Sequence, residues 1–339
     1  MRMTILWLLG SAIAANAPAE TVGDATPPVE TVTANAPVEA DRDATALPEE
    51  LRPLMAVAED EERLVAAVRL FDREQQAQAR WDIDMGMAHA AQDEMDLAET
   101  EAKRAEERHR LIEQAYEFVL ARYPENARAH VYYGEFLYDC RGKRAEGVNE
   151  WLKAVELDPD LSTAHNDLGL HYCEFGEYNR GFRHLDVARK LEPDNPDYLY
   201  NATQVYLIHR PQAQAYYSWT PRQVYEEAMK LSKRAVELAP NTYEFAKDYA
   251  VNFFASEQFG VEPDWEQAAI AWQAARKCAR FERDLFYTYL NEARAWLRAG
   301  QKRHARQCLK KAVELDPTST SARNLLDGLA AGKADGTQE

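Results

Sequence analysis

Three side chains of one short segment have the chemistry of metal ligands. His165, His171 and Cys173 lie within nine residues of one another, and neutral imidazole and thiolate are groups that bind Zn²⁺. No carboxylate completes a set beside them, and the four cysteines of the chain are too far apart for a CxxC motif. We therefore predict that the protein holds no metal and no cofactor, and that its cysteines are unpaired.

Catalytic motifs of the common enzyme classes are missing from the sequence. It contains no HExxH, no GxSxG, no P-loop and no GxGxxG pattern. We therefore predict that the protein is not an enzyme. The alternative is a helical enzyme or enzyme subunit whose site lies in residues 48–110 or in the inserted loops described below.

The charge of the chain indicates which partners it avoids. It carries 57 acidic residues against 40 basic ones, a formal net charge of −17. Nucleic acids and anionic membranes would repel such a protein. We therefore expect the partner to be a protein or a peptide, with no nucleic acid involved.

The N-terminus has the pattern of a secretory signal. Arg2 precedes an apolar run over residues 3–15, and small residues follow at Ala17 and Ala19. The run is shorter than the roughly 20 apolar residues of a membrane-spanning helix. We expect a signal peptide over residues 1–19, a periplasmic or secreted location, and no membrane insertion after cleavage. An uncleaved anchor is the alternative.

The next segments differ in composition. Residues 20–47 are rich in Ala, Thr, Pro, Val and Glu without helical or strand period, which predicts a disordered linker. Apolar residues then recur at helical spacing, so residues 48–110 are predicted to form an N-terminal helical region. Within it, Glu99–Arg110 is predicted to be a solvated charged helix, and Trp81, Ile83 and Met87 to form a packed apolar corner around Gly86. Residues 328–339 are predicted to be a disordered tail.

Residues 111–327 contain an internal repeat. Pro159 and Pro193 end two similar units and are 34 residues apart. Two units, 162–195 and 286–319, share their spacing without gaps. The shared positions are Gly169, Tyr172, Gly181, Ala188 and Pro193 in one unit and Ala293, Trp296, Ala305, Ala312 and Pro317 in the other. This sequence of small, aromatic, small, alanine and proline positions resembles the tetratricopeptide-repeat family.

The resemblance implies an all-α fold, an α-solenoid of about five helix hairpins with an N-terminal helical extension. Small residues let the two helices of a hairpin approach closely. Gly176 and Gly300 are predicted to take the left-handed conformation that ends a first helix. Stacked hairpins bury apolar faces that one hairpin cannot bury alone. The family also implies a function: a scaffold or adaptor that binds a partner polypeptide in a concave groove lined by the first helices, here outside the cytoplasm.

Polar residues recur at the groove-facing position of each unit, two residues before the small residue. Within residues 159–339 these positions hold Asp167, Asn201, Asp248 and Asn291. An amide at this place can hydrogen-bond an extended main chain through both its oxygen and its nitrogen. We predict that these four residues contact the partner. The alternative is that they are solvated polar residues without a binding role.

Two units carry insertions between their first and second helices. The interval from Tyr206 to Ala228 is 13 residues longer than the repeat requires, and a second insertion of six lies within residues 255–264. The inserted segments contain aromatic residues, and exposed aromatic side chains are favoured anchors at interfaces. We predict one wall for the partner, with the alternative that the rings fold back as a local plug. The aromatic residues are Tyr216, Tyr217, Trp219 and Phe259.

Overall fold

The structure is a computed structural model that describes residues 47–330. The expected signal sequence and nearly all of the expected linker and tail lie outside these residues. Every regular element within residues 47–330 is a helix, and no strand occurs there. No helix in that part of the chain is long and apolar enough to cross a membrane. The prediction of an all-α fold is confirmed.

The helices follow one another with short connections. In chain order they are α1 Glu61–Ala90, α2 Met95–Arg122, α3 Ala127–Asp139, α4 Arg144–Leu157, α5 Ser162–Glu174, α6 Tyr178–Leu191, α7 Pro196–Ile208, α8 Arg210–Tyr217, α9 Pro221–Leu238, α10 Tyr243–Ala255, α11 Trp265–Cys278, α12 Glu282–Arg298, α13 Lys302–Leu315 and α14 Thr320–Ala330. Two 3₁₀ segments, Glu49–Val57 and Ser256–Phe259, precede α1 and follow α10.

Two compact units divide the chain, residues 1–158 and residues 159–339. In the first unit α1 pairs with α2, and α3 pairs with α4. The carboxylate of Asp72, which is fully buried, fixes the long hairpin. It accepts hydrogen bonds from Tyr116 Oη at 2.7 Å, Arg69 Nη1 at 2.9 Å and Gln76 Nε2 at 2.5 Å. A buried carboxylate needs such donors, because burial alone penalises its charge.

The first unit corrects two expectations. The boundary expected after residue 110 lies inside α2, where Leu111 and Ile112 are buried in the same cluster as residues of α1. The helical region 48–110 is therefore not separate from the segment that follows it. The packed apolar corner is also wrong, because α1 continues to Ala90 and leaves Trp81 and Met87 exposed.

The second unit is built from four hairpins. They are α5 with α6, α7 with α9, α10 with α11 and α12 with α13, and α14 packs against α13. The first insertion forms the short helix α8, and the second forms the 3₁₀ segment Ser256–Phe259. The insertions were predicted to be loops, but both are mostly helical.

Local sequence explains where these helices begin and end. Asn195 caps α7 by accepting from the backbone of Asp197 and Tyr198, and Pro196 occupies the first turn. Thr220 and Gln223 form a capping box at the start of α9. Gly176 and Gly300 have φ values of 85° and 74°, which confirms the predicted left-handed turns.

Candidate functional site

The first helices of the second unit carry the predicted polar positions. Asp167 lies on α5, Asn201 on α7, Asp248 on α10 and Asn291 on α12. Side-chain contacts connect each of these helices to the next, as the following paragraphs show. We call the surface formed by α5, α7, α10 and α12 the first-helix face.

The α5 and α7 residues of the first-helix face bond to each other. Asn201 Nδ2 donates to Asn166 Oδ1 at 3.1 Å, and Asn166 Nδ2 donates to Asp167 Oδ1 at 3.0 Å. Asn166 and Asp167 are buried, whereas Asn201 is half-buried. The two positions are therefore joined by side-chain hydrogen bonds and are not solvated independently.

Asp248 connects α7 with α10. Tyr200 Oη donates to Asp248 Oδ2 at 2.6 Å, and Lys247 Nζ lies 3.1 Å from Asp248 Oδ1. Burial and the neighbouring carboxylate raise the pKa of the Tyr200 hydroxyl well above its ordinary range, so it remains a donor. Asp248 is 6% exposed. Its carboxylate therefore holds two neighbouring side chains in place and presents little surface to a partner.

Asn291 connects α12 with α14 through Arg294. Asn291 Nδ2 donates to the Tyr287 carbonyl at 2.9 Å, and Arg294 Nη1 donates to Asn291 Oδ1 at 3.1 Å. Arg294 Nη2 reaches Ser321 Oγ at 3.1 Å. Both ends of the Asn291 amide are thus engaged within the protein. The expectation that this amide bonds a partner main chain directly is wrong for the conformation described here.

Arg294 and Tyr287 are the accessible groups at this end of the first-helix face. Arg294 is exposed, and its two hydrogen bonds go to neutral oxygens. Partial burial of its guanidinium lowers the pKa of Arg294. Tyr287 is 41% exposed, and the edge of its ring packs on the buried Trp272. Tyr287 was missed by the sequence analysis, although it lies one helical turn before Asn291.

The aromatic residues of α8 and its C-terminal turn pack inward. Tyr216 and Tyr217 contact the Phe182 ring of α6, and Trp219 stacks on Tyr217 with ring centroids 4.2 Å apart. All three inserted rings are half-buried. Tyr217 Oη donates to Asp186 Oδ1 at 2.8 Å. These three residues form the local plug that the sequence left open as an alternative, not a freely exposed wall.

Phe259 of the second insertion is also part of the core. It is 5% exposed and packs on Tyr225 of α9, with Arg210 over its ring. The prediction of an exposed Phe259 anchor is therefore wrong. The two insertions do touch each other, since Arg210 Nη1 donates to the Gln258 carbonyl at 2.6 Å. They form one rim in which the rings supply packing.

Comparisons with known proteins give only distant matches. No protein-family model and no curated protein matches the sequence. Among solved structures, YrrB, described as a TPR protein with an unusual peptide-binding site, aligns with a TM-score of 0.48 and 17% identity over 62% of this chain and 97% of its own. The C-terminal part of a TPR repeat-containing protein from Cytophaga hutchinsonii aligns with 0.48 and 16% over 81% and 98%. PilF of Pseudomonas aeruginosa aligns with 0.45 and 14% over 74% and 97%.

Helix packing inside the hairpins decides the family. A Cβ added to Gly169 would lie 2.7 Å from Leu185 Cγ, and a Cβ added to Gly181 would lie 2.9 Å from the Gly169 carbonyl oxygen. The equivalent Ala293 and Ala305 of the last hairpin are fully buried. The small residues of the repeat therefore stand where the two helices of a hairpin touch. The chain is a tetratricopeptide-repeat protein.

Histidines of this tetratricopeptide-repeat protein serve the hairpin and not a metal. His165 Nε2 hydrogen-bonds the Pro159 carbonyl at 3.0 Å, and its Nδ1 lies 2.9 Å from His184 Nδ1. Burial lowers the pKa of both imidazoles, that of His184 to about 4. One ring must therefore donate and the other accept. Among the described residues, no group of His, Cys, Asp and Glu is arranged to hold a metal ion, and all four cysteines are free.

Proposed function

We propose that this tetratricopeptide-repeat protein is a non-catalytic scaffold that binds a partner polypeptide along the first-helix face. The observation that carries the proposal is the guanidinium of Arg294. It is held in a fixed position by two neutral oxygens, those of Asn291 and Ser321. A positioned cation without a paired carboxylate is suited to an acidic group of a partner.

Electrostatics supports an acidic segment at this point. The chain as a whole carries a net charge of −17, which would repel an acidic partner elsewhere. Arg294 is partly desolvated, and a charge-assisted hydrogen bond is stronger where water is excluded. Lys247 lies nearby on α10, with its ammonium group beside Asp248. Tyr287 supplies an aromatic surface next to both cations.

The predicted polar positions have an indirect role in this proposal. Asp248 and Asn291 position Lys247 and Arg294, and Asp167 belongs to the hydrogen-bonded chain that orients Asn201. The amide of Asn201 is the half-buried member of the set and is proposed to contact the partner main chain. A rigid set of polar groups lowers the ordering cost of binding an extended segment.

The proposal can be tested with peptides selected from a random library against the folded protein. Binders enriched in Asp or Glu are expected, and Arg294→Glu should weaken them by about tenfold or more, since a charge-assisted bond becomes a repulsion. The matched control is Arg303→Glu on α13, because Arg303 is also exposed. Equal effects of the two reversals on peptide affinity, or selected peptides without acidic residues, would show that the first-helix face is not the binding surface.

We also propose that the protein works outside the cytoplasm. The proposal rests on Arg2, the apolar run over residues 3–15 and the small residues before Glu20. Edman sequencing of the protein from its native source should give a mature N-terminus at Glu20. Recovery of the intact N-terminus from a cytoplasmic fraction would contradict this proposal.

A further inference from the structure

A charged residue is buried where the other repeats have uncharged ones. The position directly before the small residue of the first helix holds Tyr133, Leu168, Ala202 and Tyr249 in four units and Glu292 in the last. Glu292 is 2% exposed. Burying a carboxylate costs several kcal/mol unless other groups compensate it. The fold needs only an apolar residue at this place, so a charge here needs another explanation.

The Glu292 carboxylate is only partly compensated by the protein. Its Oε1 accepts from Gln273 Nε2 at 3.0 Å and from Trp296 Nε1 at 3.3 Å. Its Oε2 lies 3.3 Å from Arg276 Nε, but the geometry of that pair is not a hydrogen bond. Oε2 and the Arg276 Nε–H therefore form an adjacent acceptor and donor, both available to a third group.

These two atoms line a cavity of about 280 Å³ between α11, α12 and α13. The cavity also contains the half-buried His304, whose Nδ1 receives or donates no hydrogen bond within the protein. The indole of Trp296 forms an apolar wall. Burial and the Glu292 carboxylate raise the pKa of the Cys308 thiol to about 12, so this side chain is a neutral wall group and not a nucleophile.

The chemistry of the cavity selects the class of ligand. The charges of Glu292 and Arg276 cancel, so neither an anion nor a cation is favoured. An acceptor and a donor about 3.3 Å apart match two adjacent hydroxyl groups, one donating to Oε2 and the other accepting from Nε. The volume lies just below the range of about 300–1,000 Å³ that is usual for drug-sized ligands. We propose that this cavity binds a small neutral polyol of monosaccharide size.

This site is distinct from the first-helix face. Glu292 and Asn291 are consecutive residues of α12, so their side chains leave the helix about 100° apart. The hydrogen bonds of Asn291 go to groups on the first-helix face, whereas those of Glu292 go to Gln273 and Trp296. Loss of polyol binding should therefore leave peptide binding unchanged, and the two proposals can fail separately.

Isothermal titration calorimetry with glucose, galactose and myo-inositol tests the proposal directly. At least one of these polyols is expected to bind with a dissociation constant of about 1 mM or below. Glucuronate and glucosamine, which add a charge to the same ring, should bind at least tenfold more weakly. The proposal is overturned if no neutral polyol binds at about 20 mM, or if a charged analogue binds more tightly than all three.

Variants separate a binding role from a structural one. Glu292→Gln should weaken polyol binding by about tenfold or more, because it replaces the charged acceptor by a neutral amide. Glu314→Gln, at an exposed acid of α13, is the matched control and should leave binding unchanged. The double variant Arg276→Leu with Glu292→Leu removes the ion pair and restores the apolar residue seen at Leu168. It should fold, as paired replacements of buried charges usually do, and should bind no polyol. Retained binding in this variant overturns the proposal.

Discussion

Removing one hydroxyl from the aromatic plug should destabilise the second unit measurably. Tyr217 Oη donates to Asp186 Oδ1 at 2.8 Å and accepts from Tyr206 Oη at 3.0 Å. Tyr206 is fully buried. The substitution Tyr217→Phe keeps the ring, its stacking on Trp219 and its contact with Phe182. It removes only the oxygen that connects two other polar groups.

The magnitude follows from the groups left without a partner. Each hydrogen bond lost contributes about 1 kcal/mol, and a buried hydroxyl left unpaired costs about 1–3 kcal/mol. Asp186 keeps its bond from Arg189 Nη2 at 2.9 Å, so most of the penalty falls on Tyr206. The expected loss in the free energy of unfolding is about 2–3 kcal/mol.

Urea denaturation followed by circular dichroism measures this loss, with Tyr216→Phe as the control on the neighbouring ring. The control should change stability by less than about 0.5 kcal/mol. Adding Tyr206→Phe to Tyr217→Phe removes the stranded hydroxyl as well, so the double variant should recover about 1 kcal/mol of the expected sum. If the two single effects simply add, or if Tyr217→Phe is neutral, the proposed network does not stabilise the plug.

Three further outcomes are expected. Gly181→Ala should destabilise the protein by about 1–3 kcal/mol in thermal unfolding, because the new Cβ would collide with Cys173 Sγ, whereas Gly86→Ala meets ordinary van der Waals contacts in mid-helix and should be neutral or stabilising. Asp72→Ala should cost about 3–5 kcal/mol in chemical denaturation, because it leaves a buried arginine and a buried tyrosine hydroxyl without their acceptor. The pKa of His184 is lowered to about 4 in the folded state, so the unfolded state binds more protons below the ordinary value of 6.5. Stability should therefore fall by about 1–2 kcal/mol between pH 7 and pH 5, and His184→Gln, which cannot take up this proton, should reduce that slope in unfolding curves.

The sequence predicted the hairpins because their signals are local. A glycine with positive φ, a proline after a second helix and small residues at fixed intervals need no knowledge of distant parts of the chain. Gly176 and Gly300 were identified in this way, and so were the positions of the two insertions. The polar ladder was also placed on the correct helices, since one position of each repeat defines it.

Which side chains remain accessible was decided only by the tertiary structure. Periodicity tells that Tyr217 and Phe259 lie in inserted segments, but not that Phe182 and Tyr225 of other helices provide surfaces for them. The same holds for Glu292, whose burial depends on α11 and α13 closing over it. Burial depends on every element that surrounds a side chain, and those elements come from distant parts of the sequence. The sequence therefore determined the repeat, and packing between repeats determined which of its polar and aromatic residues can meet a ligand.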